Sequence, residues 1–110
     1  MTGQDIVTRW RAMVNDAIIE YRYADSQALT WLNDAVVELL DNRPDLGMDD
    51  DNTMLAMVPL TALSQTLTLP TDMQRPLAYL MTAYMYEDAG SADANLQAAQ
   101  ATRKLFLSMI

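Results

Sequence analysis

Cysteine and histidine are both absent from this chain of 110 residues. Without thiols there is neither a disulfide framework nor a thiolate metal site. Without imidazole there is no Ser-His-Asp or Cys-His nucleophile pair, no His-based zinc site and no ordinary general base near pH 7. Only carboxylate or lysine chemistry is left to an enzyme, and the expectation is a protein with no catalytic residues, no cofactor and no structural metal. Glycine is scarce as well. Gly3, Gly47 and Gly90 are the whole supply, too few and too scattered for a phosphate-cradling loop. No window approaches the roughly 18 apolar residues that span a bilayer, and Met1-Thr2-Gly3-Gln4-Asp5 does not resemble the basic start of a signal peptide. These absences predict a protein with no membrane partner, kept in the cytoplasm or packed into a particle. Positive charge is also short: seven basic residues against fifteen acidic give a net charge of −8, which argues against sequence-reading DNA binding. Mild repulsion would suit a wall along which DNA slides without adhering, and the same acidity also serves plain solubility.

What the chain does have is apolar mass, with 51% hydrophobic residues and nine Met, whose thioethers fill irregular gaps at little cost. The length predicts one domain over residues 1–110, burying roughly two-thirds of its unfolded surface. Ile6, Val7, Trp10, Met13 and Val14 recur at helical spacing and predict a first helix from residue 4 or 5 to about 14, with Arg9 and Arg11 in water. Asn15-Asp16 reads as its end or as a kink, and residues 17–23 as a connector. A second helix is expected over residues 26–42, with Asp25 or Ser26 as N-cap and Pro44 as the far limit. Leu29, Leu32, Val36, Leu39 and Leu40 share one face there, widened by Ala28, Trp31 and Ala35. That arc covers roughly 180°, where a ~100° stripe suffices for packing on one core. Either a small domain packs this helix from two sides, or Trp31 and Ala35 form a subunit contact.

Residues 46–70 break the helical pattern with Gly47, the run Asp49-Asp50-Asp51-Asn52 and Pro59. Gln65-Thr66-Leu67-Thr68-Leu69 alternates with period two, which predicts a short strand, paired in one version with residues 54–58 as a hairpin. So long an excursion in a small domain points to function or mobility. Thr71-Asp72-Met73-Gln74 spells a capping box, in conflict with Pro76 five residues on, and a single turn followed by a fresh start at Pro76 resolves it. A third helix is expected over residues 76–89, burying Leu77, Leu80, Met81, Tyr84 and Met85. Gly90 would end it, Ser91 would cap the next, and a fourth helix would run from about residue 92 to the end. The fold class is therefore mainly α: a small bundle of about four helices, with a short β hairpin or strand between the second and third.

Two clusters bear on function. Asp49, Asp50 and Asp51 form the only grouped acids, but no distal Glu completes a calcium loop; they read as a mobile, solvated acidic loop or, less readily, a weak divalent site. The final run Leu105-Phe106-Leu107-Ser108-Met109-Ile110 is apolar where chain ends are normally polar. It either folds back on the core or docks into another subunit or partner.

Tyr23-Ala24-Asp25-Ser26, then Leu29-Thr30-Trp31-Leu32-Asn33-Asp34-Ala35, then Arg43-Pro44-Asp45 resembles the small head-to-tail connector proteins of tailed bacteriophages, also called adaptor or head-completion proteins. Leu67-Thr68-Leu69-Pro70 and a helix through Tyr79 and Tyr84 to Tyr86-Glu87-Asp88 add a second patch, and the two cover somewhat over half the chain. The resemblance implies a structural virion protein without catalysis. In that family many copies, commonly about twelve, close into a ring by one repeated contact. The ring sits on the portal at the head-tail junction, extends the channel for double-stranded DNA without reading its sequence, and receives the next tail or stopper component. Assembly would begin in the host cytoplasm. The competing class is a small acidic regulator or DNA mimic that binds another protein, which would want carboxylates in regular exposed rows and not bunched in one loop.

Overall fold

The computed structural model describes residues 1–16, 22–48, 59–89 and 93–110. Four α-helices account for most of them: α1 (Gly3–Met13), α2 (Asp25–Asn42), α3 (Gln74–Asp88) and α4 (Asp93–Met109).

Each boundary has a local cause. At the start of α1 the Thr2 hydroxyl accepts from the Asp5 N–H at 3.2 Å and the Asp5 carboxylate accepts from the Thr2 N–H at 2.8 Å, a reciprocal capping box. The Thr2 N–H, by donating to it, holds the Asp5 carboxyl below the usual carboxylate range. Gly3 sits where a Cβ would come within 2.9 Å of Leu60 and 3.2 Å of Leu32, so the first turn closes tightly on α2 and the segment before α3. Asn15, at φ 59°, ends α1 in the left-handed region that Asn tolerates, and the Asp16 N–H bonds back to the Arg11 carbonyl at 2.8 Å. Asn15-Asp16 is thus an end and not a kink.

At the start of α2 the expected side-chain cap is missing. Ala24 is the N-cap residue, and the Asp25 carboxylate is drawn instead to Arg11 at 2.8 Å. The other end stops as expected: Pro44 opens a 3₁₀ turn (Pro44–Gly47), and Arg43 grips Asp45 with two bonds of 2.9 and 2.8 Å. A second 3₁₀ turn, Thr71–Met73, runs directly into α3, with no side-chain cap at either start. Pro76 falls in the first turn of α3, where the lost N–H had no partner to lose, so the helix begins two residues before the expected restart. Gly90 and Ser91 lie outside the described residues.

Among the described residues there is no strand. Residues 65–69 do alternate, with Leu67 and Leu69 buried and Gln65, Thr66 and Thr68 exposed, but they pair with the chain's own beginning. Thr2 and Thr66 form a single antiparallel bridge, flanked by Gly3 N–H to Gln65 O at 3.1 Å and Leu67 N–H to Met1 O at 2.8 Å. The hairpin partner expected at 54–58 and the acids Asp49, Asp50 and Asp51 lie outside the described residues.

Helix α3 is the hub. It packs against α1, α2 and α4, and it buries Leu77, Ala78, Leu80, Met81, Ala83 and Met85 around most of its circumference, as a helix enclosed by neighbours must. Helices α1, α2 and α3 all touch one another, whereas among the described elements the backbone of α4 lies against α3. Trp10, Tyr23 and Trp31 stack edge-on or tilted at centroid distances of 5.4–5.7 Å in the joint between α1 and α2.

Candidate functional site

The residues that carry the sequence resemblance act, in this structure, on the fold itself. Trp31 is 4% exposed, and its indole N–H donates to Asp88 at the end of α3 at 2.7 Å. Ala35 is fully buried. The surplus apolar arc of α2 is thus absorbed by its own domain, and neither residue offers an outward face as the expected subunit contact requires. Asn33, also in that motif, holds the Leu60 backbone as a strand partner would, donating to its carbonyl and accepting from its N–H, both at 2.9 Å.

Two arginines organise the polar interior. Arg11, expected in water, is 3% exposed. One terminal nitrogen donates to the Asp16 carboxylate at 2.6 Å and to the Tyr23 carbonyl at 2.8 Å, and the other reaches Asp25. Asp16, buried too, accepts in addition from the backbone N–H of Arg22 and Tyr23. A buried charge is tolerated when it is paired and hydrogen-bonded in this way. Arg103 on α4 is the outer counterpart. It pairs with Glu38 of α2 at 3.0 Å and with Glu87 of α3. Tyr84 donates to the same Glu38 carboxylate at 3.0 Å. Burial, and then that carboxylate, push the Tyr84 phenol above its ordinary value.

The apolar carboxy-terminal run divides. Phe106 is fully buried and belongs to the core, so it is not surface available to a partner. Leu105 and Leu107, about 100° to either side of it, are each 49% exposed. Met109 and Ile110 are half-buried, with Ile110 against the core. Leu96, one turn into α4, is exposed as well. Of the seven expected interface residues, then, Leu105 and Leu107 stand outward, Met109 and Ile110 partly so, and Trp31, Ala35 and Phe106 are interior.

A surface that the periodicity did not single out is an open groove of about 640 Å³ between α1 and the start of α3, lined by Arg9, Met13, Arg75 and Tyr79 among others. Arg75 lies over the Tyr79 ring, 5.7 Å from its centroid. Among the described residues no group of three or more acids is placed to hold a metal ion, and no helix is long and apolar enough to cross a membrane. Comparison with protein-family models, with curated protein sequences and with solved structures gives no match to this chain.

Proposed function

We propose that this chain is a head-to-tail connector of a tailed bacteriophage: a structural virion protein, without enzymatic activity, whose copies ring the portal, extend the DNA channel and present a platform to the next tail or stopper component. The observation that carries the reading is the outward leucine surface of α4. Leu96, Leu105 and Leu107, each 43–49% exposed, stand outward on a helix whose backbone, among the described elements, rests on α3, with Leu96 and Leu107 on one flank and Leu105 on the other. Large apolar side chains left exposed along both flanks of one helix favour association with a partner on either side. The order of motifs along the chain supports the same reading, as does an acidic balance of −8, which suits a conduit that DNA must leave without sticking. Association is then the whole of the chemistry: apolar burial at the portal, one repeated contact around the ring, and repulsion towards the lumen.

The test is direct. Purified portal oligomer from the same phage is incubated with the chain and imaged by electron microscopy. A ring of added density on one face of the portal is the expected result. Portal that sediments and images unchanged over a wide excess of the chain would rule the reading out.

A further inference from the structure

Helices α1, α2 and α3 form a triangle, and the triangle has two complementary outer faces. On α1, Arg11 turns towards α2, where it meets Asp25. Arg9 lies two residues earlier, about 200° around the helix, and faces the groove with α3, on the side away from α2. The groove therefore carries two cations, Arg9 and Arg75, in a chain that has only seven basic residues, and one acid, Asp5, whose carboxylate the Thr2 N–H already engages at 2.8 Å. Neither Arg9 nor Arg75 is in an ion pair among the described residues, and between α1 and α3 they border an apolar strip that includes Met13, 38% exposed.

The opposite face belongs to α2. Leu39 is fully buried, and Val37, about 200° away, is at 60% the most exposed large apolar residue of the described chain, beside a small pocket that it lines with Asp34, Leu40 and Leu60. Asp34 and Asp41 flank Val37 at three and four residues, on the same exposed face and about 10 Å apart along the axis, with no ion-pair partner among the described residues. One face sets two cations beside an apolar strip, and the other sets two acids about an exposed valine.

We propose that a second copy of this chain lays the outer face of its α2 into the groove between α1 and α3, Asp34 and Asp41 reaching Arg9 and Arg75 and Val37 seating on Met13. The two patches differ and lie on opposite sides of the molecule, so the contact is heterologous. It repeats head to tail and closes into a ring or runs into a filament, and it cannot make a two-fold dimer. This deepens the connector reading, on which it rests, by naming the contact that repeats around the ring. A single helix stripe in one groove buries less than the roughly 1,600 Å² of a stable pair. Free copies accordingly meet weakly and need covalent trapping to be seen.

The absence of native cysteine makes trapping clean. Met13→Cys and Val37→Cys are placed in separate copies, mixed and oxidised, both sites being exposed enough to leave the fold intact, which thermal unfolding verifies. The mixture is expected to give disulfide-linked dimers well above either variant alone and above a Met13→Cys with Leu96→Cys control. Adding R9E/R75E to the Met13→Cys copy should cut the yield about tenfold, the effect of losing roughly 1.4 kcal/mol. D34K/D41K in the Val37→Cys copy should then restore it. A mixed yield equal to the control, or one indifferent to charge reversal, overturns the contact. Portal rings that form from native chain but do not link 13 to 37 overturn this contact while leaving the connector reading standing. Efficient 13–37 linking with no ring on the portal does the reverse.

Discussion

Arg11 and Arg103 do the same work at two places, and the difference between them separates a closed part of the molecule from an open one. Arg11 is sealed in the joint of α1 and α2, 3% exposed, with both partner carboxylates and a carbonyl around it. Arg103 is about one-third exposed and fastens α4 to its neighbours across half-wet surface. Removing the first strands the buried Asp16. Removing the second lets Glu38 and Glu87 return to water. The lesson is that the joint of α1 and α2 is sealed around its ions, while α4 packs along α3 through Ala99, Phe106 and Ile110 and adds one solvent-screened ionic clasp, with Leu96, Leu105 and Leu107 left outward.

Substitutions at the two ends of this contrast measure its depth. Arg11→Ala should cost about 4–5 kcal/mol, because it leaves a buried carboxylate without its cation. Thermal unfolding should show a fall in Tm of about 15–20 °C, or no folded protein at all. Phe106→Ala comes next, at about 3–4 kcal/mol, from lost burial and the cavity left between α4 and the core. A cost near zero at Phe106 would mean that α4 is not anchored as described. Arg103→Met should cost about 1 kcal/mol or less and, unlike Arg11→Ala, should shrink further as salt is raised. If salt affects both equally, the two sites do not differ in burial.

The smallest effect is a titration. Folded Tyr84 holds its proton above the ordinary value, so its contribution is fully present below about pH 10, where the unfolded phenol begins to ionise, and is lost as pH rises further. Urea unfolding between pH 9 and 11 should show that slope in the native chain and a shallower one in Tyr84→Phe.

Helix count and placement were legible in the sequence because the apolar positions repeat at helical spacing and Pro44 interrupts them. The wide arc of α2 was legible too, but not its cause. Trp31 faces α3 and the Trp10–Tyr23 pair, and only the topology shows that these neighbours absorb it. Arg11 reads as solvated because a guanidinium on the border of an apolar face usually is, whereas here Asp16, just past the left-handed Asn15, and Asp25, at the start of α2, both come to it. The usable signal was the pair of arginines two residues apart, which cannot both face water on the same side. Residues 65–69 show the limit of period two. Alternation reports alternate burial, and a single bridge to Thr2 produces it as well as a hairpin does. At the carboxy terminus, hydrophobicity alone did not divide Phe106 from its neighbours; helical phase relative to α3 does.

That division gives the most direct test of the central claim, that the outward leucines of α4 serve association and not folding. Leu105 and Leu107 are changed together to Asp, and ring occupancy on the portal is counted by electron microscopy beside a thermal unfolding curve of the same protein. The expected result is loss of the ring with a change of no more than about 1 kcal/mol in stability, the range of surface substitutions. Full occupancy by a folded double variant would contradict the claim, and so would a collapse of the cooperative transition, since it would return both leucines to the core.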